Sequence, residues 1–139
     1  MGRDLIAVFV GGLVGTGLRL SIDAALPHAG AQFPWSTLII NVVGALILGL
    51  LVGVLWKKPG LPHWVRAGLG AGVLGSFTTF SAVMVSVVGM SAADAVGPAS
   101  VYLVASLVLG LAAAFTGLRV GSTLAHLMMP GEVQEGETL

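Results

Sequence analysis

Cysteine is absent from this 139-residue sequence, and only 9% of its residues are Asp, Glu, Lys or Arg. The first absence removes disulfide scaffolds, thiol chemistry and Cys-ligated metal sites from consideration. The second is more restrictive, because a soluble domain ordinarily carries about a quarter of its residues as charges. Six basic and six acidic residues, set against 56% hydrophobic residues and a mean hydropathy of +1.01, cannot clothe a soluble sphere. Disorder needs low hydrophobicity and high net charge, and both are missing. There is no basic stripe to replace phosphate counterions, so nucleic acid is not a partner. The composition is that of an all-α integral membrane protein whose solvent is the lipid bilayer.

The gaps between charges mark the crossings. Charge-free intervals run over residues 5–18, 24–56, 67–93 and 95–118. A spanning helix needs roughly 20 apolar residues. The second interval is broken early by Pro27, Gly30 and Pro34, so its helix starts at Pro34-Trp35, with proline at the entry and tryptophan at the interface. Four transmembrane helices are expected, at about 4–25, 35–56, 67–90 and 95–118, within a channel domain of 1–121. A polar acidic tail over 122–139, whose stretch Pro130–Leu139 holds three glutamates and no apolar pattern, is expected to be disordered. Arg3 ahead of an apolar run also suits a signal peptide, but Arg19, Asp23 and three further spans argue for a first crossing.

Arg3, Lys57, Lys58, Arg66 and Arg119 all fall on one side of a four-span chain, and the opposite loops hold no Lys or Arg. The positive-inside rule then predicts a multi-pass protein of the plasma or inner membrane with both termini cytoplasmic.

Several residues are out of place in lipid. Gly11/Gly15, Gly49/Gly53, Gly68/Gly72 and Gly117/Gly121 are spaced for close helix approach. Gly75-Ser76-Phe77-Thr78-Thr79-Phe80-Ser81 puts four hydroxyls and a glycine near the middle of span three. Such residues often bond only to the preceding turn. A cluster this dense, behind Gly68, Gly70 and Gly72, predicts a break in the helix, and a break at that depth belongs to transport. Asn41, the only asparagine, lies inside span two, where it either bonds a neighbouring helix or lines a pathway. Arg19 either snorkels to the interface or forms a positive vestibule for an anion. The spans are taken to hold no carboxylate, so the membrane interior suits an anion better than a cation. Tyr102 and Ser106 share one face of span four, which continues through Gly110 and Ala114. His28, His63 and His126 have no ligand spacing, and no nucleophile–base pair or phosphate loop is present, so an enzyme is not expected.

The pattern Gly11-Gly12-x-x-Gly15-x-x-x-Arg19, Thr37-Leu38-x-x-Asn41-x-x-Gly44 and Gly75-x-x-Thr78-Thr79-Phe80-Ser81 resembles the CrcB/Fluc family of fluoride ion channels. The resemblance extends over roughly residues 5–120. It implies an antiparallel dimer of four-helix subunits with two narrow fluoride pores. It also implies a structural Na⁺ at the dimer interface, held by backbone carbonyls at positions matching Gly75 and Thr78. By the same resemblance Asn41, Phe80, Thr79, Ser81, Tyr102 and Ser106 line the fluoride pore and Arg19 its vestibule. Three positions depart from the family pattern: Val83 replaces a second pore phenylalanine, Gly110 and Ala114 replace later hydroxyls of the polar track, and Ser36 replaces a glycine.

The implied function is passive, selective fluoride efflux that lowers intracellular toxicity. Two other readings compete: a small four-span exporter of the drug or metabolite type, and a non-conducting structural subunit that completes a partner's channel. The five-to-none loop bias opposes insertion in both directions. A second homologous subunit of opposite orientation, hence a heterodimer, is therefore favoured over a homodimer.

Overall fold

The structure, a computed structural model, describes residues 1–26, 32–56 and 60–128. Pro27, His28, Gly30, Lys57, Lys58 and the acidic stretch 129–139, all used above, lie outside the described residues. Among the described residues there is no strand, and four helical stretches are long and apolar enough to cross a membrane: Gly2–Ala25, Trp35–Val54, His63–Ala92 and Val96–Met128. The protein is an all-α integral membrane protein.

Helix α1 (Gly2–Ala25) contains no proline and stops one residue short of Leu26, which precedes Pro27. A residue before proline is sterically pushed out of the helical region. Leu26 accordingly sits at φ −125°, ψ 62° while its N–H still reaches the Ile22 carbonyl. Helix α2 (Trp35–Val54) begins directly after Pro34, where a missing N–H costs nothing because the first turn has no partner for it.

The third crossing is segmented. Helix α3 (His63–Ala67) runs into a π-helical stretch, Gly68–Leu74, then a short α4 (Gly75–Phe77). Thr78 and Thr79 are extended, and α5 (Phe80–Ala92) restarts the helix. The wider π winding coincides with Gly68, Gly70 and Gly72, and such insertions cluster at functional sites. Asp94 makes the turn into the last helix at φ 58°, a left-handed conformation that aspartate tolerates better than most residues.

Helix α6 (Val96–Met128) is longer than the expected span over 95–118, and residues 122–128, expected in the tail, are helical. Leu124, Ala125, Leu127 and Met128 in its last turns are good helix formers, and Gly121 is packed against Leu50 and Gly53 of α2.

Two parallel pairs build the bundle. A side chain at Gly49 would strike the Ala114 carbonyl, one at Gly53 the backbone of Leu118 and Ser122, and one at Gly117 the Leu46 carbonyl. Rising residue numbers on α2 therefore meet rising numbers on α6, so the two run side by side in one direction. The same holds for α1 and the third crossing, where Gly11 abuts Gly68 and Gly72 while Gly15 abuts Val73 and Phe77. Parallel first-with-third and second-with-fourth pairs are what an alternating four-span chain produces. At the rim, Asp4 and His63 approach at 3.2 Å and tie the start of α1 to α3. Between the pairs, Leu38, Val83, Met90, Ala99 and Tyr102 form a buried cluster.

Candidate functional site

The break at Thr78–Thr79 leaves backbone groups without helical partners, and each is met differently. The Thr78 N–H still donates to the Leu74 carbonyl at 3.0 Å, and the Thr78 hydroxyl donates to the same oxygen at 2.8 Å. Thr79 is held from another helix. Its N–H donates to Asn41 Oδ1 at 2.8 Å, and Asn41 Nδ2 donates to the Thr79 carbonyl at 3.1 Å. One amide thus satisfies both backbone groups of one extended residue. Leaving a buried donor or acceptor unmet costs about 1–3 kcal/mol, so Asn41 braces the break from 38 residues away. The Thr79 hydroxyl caps α5 by accepting from the Ala82 N–H at 3.5 Å, and it lies 2.7 Å from the Ser81 hydroxyl.

Beside the brace is a cavity of about 240 Å³ bounded by Asn41, Thr78, Thr79, Phe80, Val83 and Ser106, among others. Phe80 is 59% exposed in the single chain. A second cavity, about 330 Å³, is bounded by Arg19, Asp23, Thr37, Ser81, Val85 and Ser86, among others. Tyr102 stands between them. It is 0% exposed, packed edge-on against Phe33 at 5.3 Å, and its hydroxyl lies among those of Ser106, Ser86 and Thr37 without hydrogen-bond geometry to any of them. The Ser106 hydroxyl is likewise buried and unpaired. Buried hydroxyls normally find a partner. Two that do not, lying between the two cavities, leave donors that can turn to a guest.

Of the residues singled out from sequence, Asn41, Thr78, Thr79, Phe80 and Ser106 meet at one cavity, Arg19 and Ser81 at the other, and Tyr102 joins them. Gly75 bounds neither and faces outward. Val83 fills the buried cluster against Leu38 and Tyr102, whereas a side chain at Gly110 would meet open space.

One expectation is corrected. The spans are not free of carboxylates: α1 (Gly2–Ala25) holds Asp4 in its first turn and Asp23 near its end, both already inside the expected span over 4–25, and Asp23 Oδ1 is buried. The charge-free intervals stop at their boundary charges, whereas the helices run through them. Asp23, Thr37 and Ser86 were not anticipated in the site. The available signal was spacing: Asp23 is one turn after Arg19, and Thr37 one turn before Asn41.

Four spanning helices, a segmented third crossing and two unpaired buried hydroxyls between two cavities define a membrane protein of the channel or transporter class. The chain belongs to the CrcB family: the family described as "CrcB-like protein, Camphor Resistance (CrcB)" matches residues 6–118. It is similar to the fluoride-specific ion channel FluC of Agrobacterium fabrum, with 37% identity covering 87% of this chain and 98% of that protein. It is similar to a fluoride-specific ion channel FluC of Thermus thermophilus, 40% identical over 89% of this chain and 98% of that protein. FluC 2 of Leifsonia xyli subsp. xyli is also 40% identical, over 88% of this chain and 86% of its own length.

Proposed function

We propose that this protein is a fluoride-selective channel subunit through which fluoride leaves the cytoplasm passively. The observation that carries the reading is the route of unpaired hydroxyls, Ser106 and Tyr102, running between the Asn41–Phe80 cavity and the Arg19 cavity. Hydroxyl donors and the electropositive edge of an aromatic ring can replace the water that a small, strongly hydrated anion must shed. Asn41 holds the broken backbone, Thr79 and Ser81 keep their hydroxyls at the restart of α5, and Phe80 stands beside them. Arg19 supplies positive charge at the far cavity. A negative-inside potential, worth about 2.3 kcal/mol per charge per 100 mV, drives the anion outward without coupling.

The backbone also fits a structural Na⁺. The Thr79 N–H donates to Asn41 rather than to the Gly75 carbonyl four residues earlier, and Thr78 is extended, so the carbonyls of Gly75 and Thr78 are released from helical pairing. Among the described residues no cluster of His, Asp or Glu could hold a metal, and neutral carbonyls suit a hard monovalent cation. Such an ion, when bound, would tie two copies of the third crossing together electrostatically. The subunits of this proposed assembly are antiparallel. The five-to-none loop bias supports a homologous partner of opposite orientation, with the termini of this chain in the cytoplasm.

Detergent extraction frees copies from the orientation in which they were inserted, so the full chain can be tested alone. Reconstituted into liposomes loaded with fluoride, it is expected to release fluoride to an external electrode when the potential is collapsed with an ionophore. Release no faster than from empty liposomes overturns the reading.

A further inference from the structure

The cavity at the C-terminal end of α1 holds two opposite charges that do not neutralise each other through contact. Arg19 Nε and Asp23 Oδ1 are both buried and both lack a hydrogen-bond partner. They lie one helical turn apart on α1 and bound the same space of about 330 Å³. From α2 and α5 the facing groups are Thr37, Ser81 and Ser86, which carry no charge, so among the described residues bounding the cavity Arg19 and Asp23 are the two formal charges. A vestibule that recruits anions through Arg19 alone would not place a carboxylate on its own wall.

We infer that Asp23 is a specificity-determining residue of this mouth, a fixed counter-charge that limits how strongly the Arg19 field draws anions in general. This rests on reading the site as an anion pathway. With Asp23 ionised, the cavity is close to neutral for any ion approaching from outside. Fluoride, small enough to exchange water for the hydroxyls of Thr37, Ser81 and Ser86, gains from contact, whereas larger, abundant anions gain little from the field. Neutralising Asp23 leaves Arg19 uncompensated in a space of low dielectric, so the mouth fills with whichever anion is most plentiful.

The natural absence of cysteine makes the potential in this cavity directly measurable. Ser86→Cys places a single thiol on the cavity wall. Its modification rates by an anionic (sulfonatoethyl) and a cationic (trimethylammonium) methanethiosulfonate are compared in proteoliposomes, with reagent on both faces. Asp23→Asn in this background is expected to raise the anionic-to-cationic rate ratio at least about tenfold, which one unit charge about 6 Å away produces even at the dielectric of water, because the two reagents respond in opposite senses. Arg19→Gln should lower it, Asp23→Glu should leave it unchanged, and high salt should compress all the differences. An unaltered ratio in Asp23→Asn overturns the inference, as does failure of either reagent to reach the thiol. Because the readout needs no conduction, it separates from the functional reading. Wild-type liposomes that conduct while the ratio stays fixed would leave the channel standing and remove Asp23's role. A shifted ratio without fluoride release would leave the counter-charge in place but remove the channel reading, and with it Asp23's role in specificity.

Discussion

Asn41 performs two tasks with one amide, and its substitutions separate them. Aspartate at 41 could still accept from the Thr79 N–H but would set a carboxylate against the Thr79 carbonyl, which now receives a hydrogen bond at 3.1 Å. Asn41→Asp is therefore expected to lower fluoride release from liposomes well below wild type, while size-exclusion chromatography shows assembly preserved. Phe80→Ile removes the ring edge at the same cavity without touching the brace, and should also depress flux with no loss of assembly. Unchanged flux in either variant counts against a pore role for that residue. Asn41→Ala strips both partners from Thr79 and should in addition destabilise the fold by about 1–3 kcal/mol for each group left unmet.

At the scale of elements, the α2–α6 pair is fixed by glycines that let backbones touch. A side chain at Gly49 or Gly117 would run into a carbonyl oxygen of the facing helix, and a helix backbone cannot give as a flexible side chain can. Gly49→Val and Gly117→Val should each lower the thermal midpoint in detergent, with a loss of about 1–3 kcal/mol typical of overpacking. Gly110→Ala, whose new methyl meets open space, should not. The four crossings and the glycine pairs were legible in sequence because both depend on one-dimensional facts: the length between charges and the spacing of small residues. The brace was not, because Asn41 and Thr79 are joined only by tertiary packing, and sequence left open whether Asn41 bonded a helix or lined a path. Structurally it bonds the broken crossing and also bounds the cavity beside it. Asp23, inside the expected first span, was not legible as a site residue because nothing in one dimension shows that its carboxyl turns toward the Arg19 cavity.

For the whole molecule, the sorting of charge is the governing feature. Net charge is zero, yet without the three tail glutamates residues 1–131 hold six basic and three acidic groups, for a net +3. Apart from Arg19, the order of the four spans predicts that the basic groups fall at one membrane face. A reporter fused to the C-terminus is expected to be protected on one side only when this chain is expressed alone. Equal labelling from both sides would establish dual insertion and remove the need for a distinct partner. Cation–π contact between Arg119 and Phe115, at 4.8 Å, adds an anchor at the basic face, as expected where a helix leaves the hydrocarbon.

The amide bridge between α2 and the broken crossing also bears on how the chain is made. Synthesis is vectorial, so Asn41 is already in the membrane when Thr79 emerges. An extended residue arriving first would sit in hydrocarbon with two unmet backbone groups, at several kcal/mol. Order along the chain removes that hazard: the segment that cannot satisfy itself is always the later arrival. A circular permutant that synthesises the third crossing before α2 would have to insert an unsupported break, and the same contacts that stabilise the finished protein would then come too late to guide it.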